Sequence, residues 1–246
     1  MKNSNISHKK GLFSSITVIV ALISLLAAPL EPIYALSFNP NKIISDGEFF
    51  DTKAMDTNGI QSFLEQKGSS LASMLFPDST GLVKRASEII EHAAEEYRIN
   101  PKVLLVLLQK EQSLIENPSP RQYNYDWATG YAVCDSCSPN DPKLQKYKGF
   151  ANQVENAAFQ KVYYTTNPAK FSYKIGSPAS IDGQLVIPEN NATAALYNYT
   201  PHLHGNENFW KLWTRYFGKF YPDGTVVQEE GSKSVWLLQD GKKRLF

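Results

Sequence analysis

Cysteine is scarce: Cys134 and Cys137 are the only two in 246 residues. That excludes a small domain held together by a disulfide framework. Four histidines leave little material for a polynuclear metal site. Neither charge dominates. The 25 Lys+Arg stand against 24 Asp+Glu, a net of +1, without the basic excess of a dedicated nucleic-acid binder. Beyond residue 35 no apolar run is long enough to cross a bilayer. What is present is apolar and aromatic, at 42% and 12%. Such a chain is too apolar to be disordered throughout, and its length suits one or two domains.

The first 35 residues set the expected compartment. Lys2, Lys9 and Lys10 precede an uncharged run from Leu12 to Ala28, closed by Pro29 and Pro32. A basic start, an apolar stretch and a small residue at Ala35 describe a secretory signal, with a retained membrane anchor as the rival reading. Either places the remainder outside the cytoplasm. Cleavage would remove Lys2, Lys9, Lys10 and Glu31 and take the net charge from +1 to −1.

Residues 36–79 read as an extended lead-in with one short helix at 57–67, where Ile60, Phe63 and Leu64 share a face and Gly68 stops the helix. Leu82, Ala86, Ile89, Ile90, Ala93, Ala94 and Tyr97 predict a helix over 81–97. Asn100-Pro101 then reads as a cap and first helical residue. The run Val103–Leu108 that follows is apolar on every side, which predicts a central, wholly buried helix. Residues 117–149 form a long Pro-, Asn- and Asp-rich loop region. Further helices are expected from Phe150 to Val162, from Asn191 to Tyr197 and around Phe209–Phe217, with Trp210 and Trp213 in the core. Asp182-Gly183 between apolar runs predicts a hairpin. From residue 221 the turn dipeptides Asp223-Gly224 and Asp240-Gly241 flank a strand at Val235–Leu238. This β-rich tail suits contact with a wall polymer or a partner, and its last strand reads as cut short or as the start of a repeat.

Glu111 lies four residues after Leu107 and three after Leu108, on their face of the helix. A carboxylate against an apolar wall is pushed up in pKa and can serve as a general acid. The plainer reading is an exposed helix end, with Lys110 and Glu116 nearby.

The segment Ile99 to Ser113 resembles the catalytic helix of the lysozyme-like lytic transglycosylases, in which an apolar helix ends in Glu followed by Ser. Here Gln112 stands between Glu111 and Ser113. Ala128-Thr129-Gly130-Tyr131-Ala132-Val133 is similar to the family's later Gly-rich turn, with Gly130 in place of its second Gly and no Gln. Ala195-Leu196-Tyr197-Asn198-Tyr199 resembles its Ala-Tyr-Asn motif, with Leu196 inserted. The resemblance covers about residues 80–217. It implies a mainly α, lysozyme-like helical domain with a small β-hairpin over 80–220. It also implies a secreted or wall-associated bacterial enzyme cleaving peptidoglycan glycan strands with Glu111 as its single acid/base. Ser113, Gly130, Tyr131, Tyr197 and Asn198 are the implied substrate contacts. Trp127, with Tyr123 and Tyr125, offers either sugar-stacking faces or cover for the central helix.

A hydrolase, lysozyme- or glucosaminidase-like, would need a second carboxylate. Asp126 and Asp135 are the candidates, each equally readable as a turn former. A non-catalytic wall-binding module is the remaining alternative. Cys134-Asp135-Ser136-Cys137 reads as a local disulfide outside the cytoplasm. A redox motif or a zinc site with His202 and His204 are the lesser readings. No cofactor, metal or nucleic acid is expected.

Overall fold

The computed structural model describes residues 37–133, 138, 140–218, 224–228, 232–239 and 242–246. The expected leader, and Cys134, Cys137 and Asp135, lie outside the described residues. Residues 37–220 form one unit, and residues 221–246 belong to another.

In the first unit the lead-in is part of the core. A short helix, α1 (Asp46–Phe50), starts where Ser45 and Glu48 cap each other reciprocally. Phe49 is fully buried, with Ile43 and Ile44 beside it. Asp56 caps α2 (Thr57–Gln66), which buries Ile60, Phe63 and Leu64 as predicted. Gly68, at φ +65°, lets the chain turn away.

The helix expected from residue 81 begins later. The Asp78 carboxylate accepts from the N–H groups of Thr80 (2.9 Å) and Leu82 (3.0 Å). This folds 78–82 into a turn and pairs β1 (Leu75–Pro77) with β2 (Val83–Arg85). Leu82 is therefore 63% exposed, and helix α3 spans Ala86–Glu96.

Helix α4 (Pro101–Gln112) is the axis of the unit. Asn100 caps it, Pro101 is its first residue, and every side chain from Val103 to Leu108 is buried. It packs on α3 and on the later helices spanning Phe150–Thr166 and Leu203–Phe217. Fully burying each such aliphatic side chain contributes about 1.5–3 kcal/mol. Helix α5 (Gln122–Asp126) occupies part of the expected loop. Helix α6 (Phe150–Thr166) follows, and then the hairpin of β3 (Ala179–Ile181) and β4 (Gln184–Val186). Asp182 and Gly183 sit at φ +50° and +82°, as an Asp-Gly hairpin turn requires. Helices α7 (Asn191–Tyr199) and α8 (Leu203–Phe217) complete the unit. Asp182 also receives the Leu203 N–H at 2.7 Å, so the hairpin turn caps α8. Trp213 is buried, and Trp210 is half-buried and packs on Phe38.

The second unit is an antiparallel sheet of β5 (Val226–Gln228), β6 (Val235–Gln239) and β7 (Lys242–Leu245), in the order β5-β6-β7. None of its described residues is buried. Among the described residues of the chain, no helix is long and apolar enough to cross a membrane.

Candidate active site

The C-terminal end of α4 is shaped by its own side chains. Ser113 adopts a left-handed conformation at φ +56°, and its N–H turns back to Gln109 O at 2.9 Å. The Gln109 side-chain oxygen accepts from the N–H groups of Ile115 and Glu116, both at 3.1 Å. Leu114 and Ile115 are therefore buried beyond the helix rather than closing it. This leaves Lys110 and Glu111 as the last polar pair of the helix on the unit's interior side.

Opposite them lies the turn Thr129-Gly130-Tyr131. Gly130 has φ +68°, and a Cβ there would stand 3.4 Å from Glu111 Oε2. The positive φ is what favours glycine here; a Cβ would touch the carboxylate at ordinary contact distance. The turn is held from behind by Gln153 of α6, which is fully buried. Gln153 Oε1 accepts from the N–H groups of Thr129 (3.3 Å) and Tyr131 (3.0 Å). Its Nε2 donates to Tyr131 O (3.1 Å) and Tyr147 O (2.8 Å).

The Glu111 carboxylate forms an ion pair with Lys110, whose ammonium also donates to Thr200 Oγ1 at 3.1 Å. The Lys110 side chain is nearly buried, while Glu111 keeps about 25% of its side-chain surface. Gly205 makes room for this packing, since a Cβ there would meet Thr200 Cγ2 at 2.5 Å and Lys110 Cε at 3.7 Å. The dry apolar wall expected around Glu111 is thus replaced by an ammonium.

Tyr199, at the end of α7, donates its hydroxyl to Thr129 O at 2.8 Å. Burial, and then the charge of Glu111, push this phenol well above its ordinary pKa. Lys161 of α6 lies under the Tyr199 ring, its Nζ 3.3 Å from the centroid. Burial, then the like charge of Lys110, pull Lys161 well below the ordinary lysine range, against the opposing pull of Glu111. Burial raises Tyr131 and Tyr164 as well, with a further push on Tyr131 from Tyr147 and on Tyr164 from Tyr131.

Glu111, Gly130 and Tyr131, singled out in the sequence, meet here. Others stand elsewhere. Ser113 is exposed past the helix end. Trp127 is 2% exposed and offers no face to a ligand. Tyr197 is fully buried and donates to Pro40 O at 3.0 Å. Asn198 uses both ends of its amide on Tyr173, donating to O at 2.8 Å and accepting from N–H at 3.1 Å. Residues 197 and 199 project from different sides of a helix, so Tyr199 reaches the cluster that Tyr197 was expected to reach. Asp126 is engaged by Gln122 (2.9 Å) and Lys148 (3.4 Å). His202 pairs with Asp182 at 3.0 Å. No group of three or more His, Cys, Asp or Glu suited to a metal occurs among the described residues.

Sequence reasoning missed Gln153, Lys161, Tyr199 and Thr200. Lys161 had a signal: it falls four residues after Ala157 and three after Ala158, on the apolar stripe of its helix.

The fold and the cluster describe a mainly helical protein with a carboxylate–amine pair at the end of a buried helix. The family is then given by comparison. A model described as the LasA N-terminal domain matches residues 42–228, more than half of the chain, and the chain belongs to that family. No curated protein and no solved structure matches.

Proposed function

We propose that the protein is an extracytoplasmic enzyme that cleaves peptidoglycan glycan strands, with a lysozyme-like site and Glu111 as its single acid/base. The observation that carries this reading is the approach of the Gly130 turn to Glu111 Oε2, with 3.4 Å left for a Cβ. A positioned carboxyl faces a turn whose backbone conformation, φ +68° at Gly130, favours glycine. Glu111 protonates the glycosidic oxygen, then as carboxylate takes the proton of the muramyl C6 hydroxyl, leaving a 1,6-anhydro sugar. Lys110 stands against the carboxylate that this first step creates and stabilises its charge.

Asp126 is already bound by Gln122 and Lys148, which disfavours hydrolysis through that residue. A groove of about 410 Å³ lined by Tyr164, Pro168, Tyr173, Ile175 and Ala194 shares Tyr164 with the cluster and offers aromatic faces to further sugars. The contact of Lys110 with Glu111 also favours a second reading, a wall-binding module whose carboxylate is neutralised.

The test is to incubate the wild type and Glu111→Gln with purified peptidoglycan and identify soluble products by mass spectrometry. Anhydro-muropeptides from the wild type alone are expected. Reducing-end products would move the assignment to a hydrolase. Absence of products, with the protein pelleting on the insoluble wall, would move it to a binding module.

A further inference from the structure

The last turn of α8, the first turn of α4 and one side of α2 enclose an open groove of about 570 Å³. None of its lining residues belongs to the Glu111 cluster. Its floor is aromatic: the Phe63 ring lies 5.5 Å from Tyr216 and 5.3 Å from Phe217 between centroids. Three cations stand on these rings. Lys67 Nζ is 4.7 Å from the Tyr216 centroid and 5.7 Å from that of Phe63. Lys102 Nζ is 5.3 Å from Phe217, and the Arg215 guanidinium is 5.0 Å from Tyr216. Of the three, Arg215 is matched by an acid, donating to both carboxylate oxygens of Glu116 at 2.9 Å. The carboxylates of α2 and its cap are used locally. Asp56 accepts from Gly59 N–H and Glu65 from the Gln61 amide, both at 2.8 Å. Among the described residues, neither Lys67 nor Lys102 has an ion-pair partner, and the side chains of Ser62 and Gln66 on the groove wall have no hydrogen-bond partner.

A ring attracts an ammonium through its quadrupole but leaves the charge in place. The groove therefore offers two positive charges without a counter-charge, ring edges, a hydroxyl and an amide. A nucleic-acid base needs an open ring face to stack on, and these faces carry cations or meet other rings. An inorganic anion would use the ammonium groups and leave the rings idle. A peptide with carboxylates uses every part, since the Gln66 amide both donates and accepts, as a peptide bond requires. The volume lies within the roughly 300–1,000 Å³ of ordinary ligand sites. We propose that this groove binds an acidic peptide segment of another polypeptide, its carboxylates against Lys67 and Lys102 and an apolar side chain over the edges of Phe63 and Phe217. The proposal does not depend on the glycan-cleaving role of Glu111.

The experiment is a calorimetric titration of the full chain with the synthetic peptide acetyl-Glu-Leu-Glu-Phe, with acetyl-Lys-Leu-Lys-Phe and with inorganic phosphate. The Gln66 side-chain amide is followed by NMR. The acidic peptide should bind, move the Gln66 signal and weaken between about 0.05 and about 0.5 M salt. Lys67→Met and Lys102→Met should each weaken it about two- to fivefold, the range of an exposed ion pair, with the urea midpoint unchanged. The proposal is overturned if the acidic peptide does not bind or the basic peptide binds as well. It is equally overturned if phosphate moves Gln66 as strongly as the peptide, or if both substitutions leave the affinity in place. Should either variant fail to fold, the wild-type comparison of the two peptides and its salt dependence decide.

Discussion

The two ends of α4 solve the same problem in opposite ways. At the N-terminal end every polar atom of Asn100 is matched. Its N–H donates to Phe49 O (2.9 Å), its Nδ2 to Glu48 O (2.7 Å), and its Oδ1 accepts from Lys102 N–H (2.9 Å). At the C-terminal end a non-glycine residue, Ser113, sits at φ +56°. An ion pair borders a glycine at φ +68°, and nearby on α6 a buried amine has no hydrogen-bond partner. One end is arranged for stability. The other accepts cost where chemistry is proposed, a division expected when local rules fail at functional sites.

Substitutions at each end break or sharpen that contrast. Glu111→Gln should lower peptidoglycan cleavage by about 10²–10⁴-fold, the range of a general acid, while the urea midpoint stays where it was. Asn100→Ala should do the reverse. It loses about 1 kcal/mol of cap and leaves Glu48 O unmatched at about 1–3 kcal/mol. The fall should appear in urea denaturation, with cleavage by the folded fraction unchanged.

Lys161→Met should stabilise the fold by about 1 kcal/mol at pH 7. Burial lowers the Lys161 pKa in the folded state. Between that depressed value and the unfolded value of about 10.4, unfolding takes up a proton. Stability of the wild type therefore rises with pH across that window. The advantage of K161M should be largest at acid pH and close as the pH approaches about 10.4, measured as the difference in melting temperature across buffers. A variant less stable than the wild type at pH 7 would mean that the buried amine contributes to the fold rather than costing it stability.

The smallest effect is expected at Ser113→Gly. Relief of the left-handed conformation should add about 0.5–1 kcal/mol. Cleavage should be unaffected, because Ser113 is exposed beyond the site.

Much of the stable end was legible from residue order. Asn100-Pro101 followed by an unbroken apolar run leaves one arrangement, a capped helix buried on all sides. Asp182-Gly183 likewise dictates its hairpin. Helix α1 and the β1–β2 hairpin were not read, because five and three residues are too few for periodicity to show. Ser45 and Glu48 were the available sign of α1, and Asp78 of the hairpin. At the site, Glu111 was legible because it follows the apolar run directly. Its neighbours were less so. Tyr199 ends the Ala195–Tyr199 segment, two residues after Tyr197 and on a different side of the helix. Lys161 and Gln153 act from α6, and their meeting with residues 110–131 depends on tertiary packing that spacing alone does not encode.

Gln153 has one more consequence. Five hydrogen bonds at one side-chain amide fasten the Thr129–Tyr131 turn and Tyr147 to the inside of α6. The turn cannot lift away by itself; it opens only when the helix beneath it comes loose. Its amide protons should therefore exchange with solvent as slowly as those of the interior, although the turn borders the surface. The Gly130 turn would then owe its constancy to a glutamine more than twenty residues away, and the site would stay whole until the domain itself comes apart.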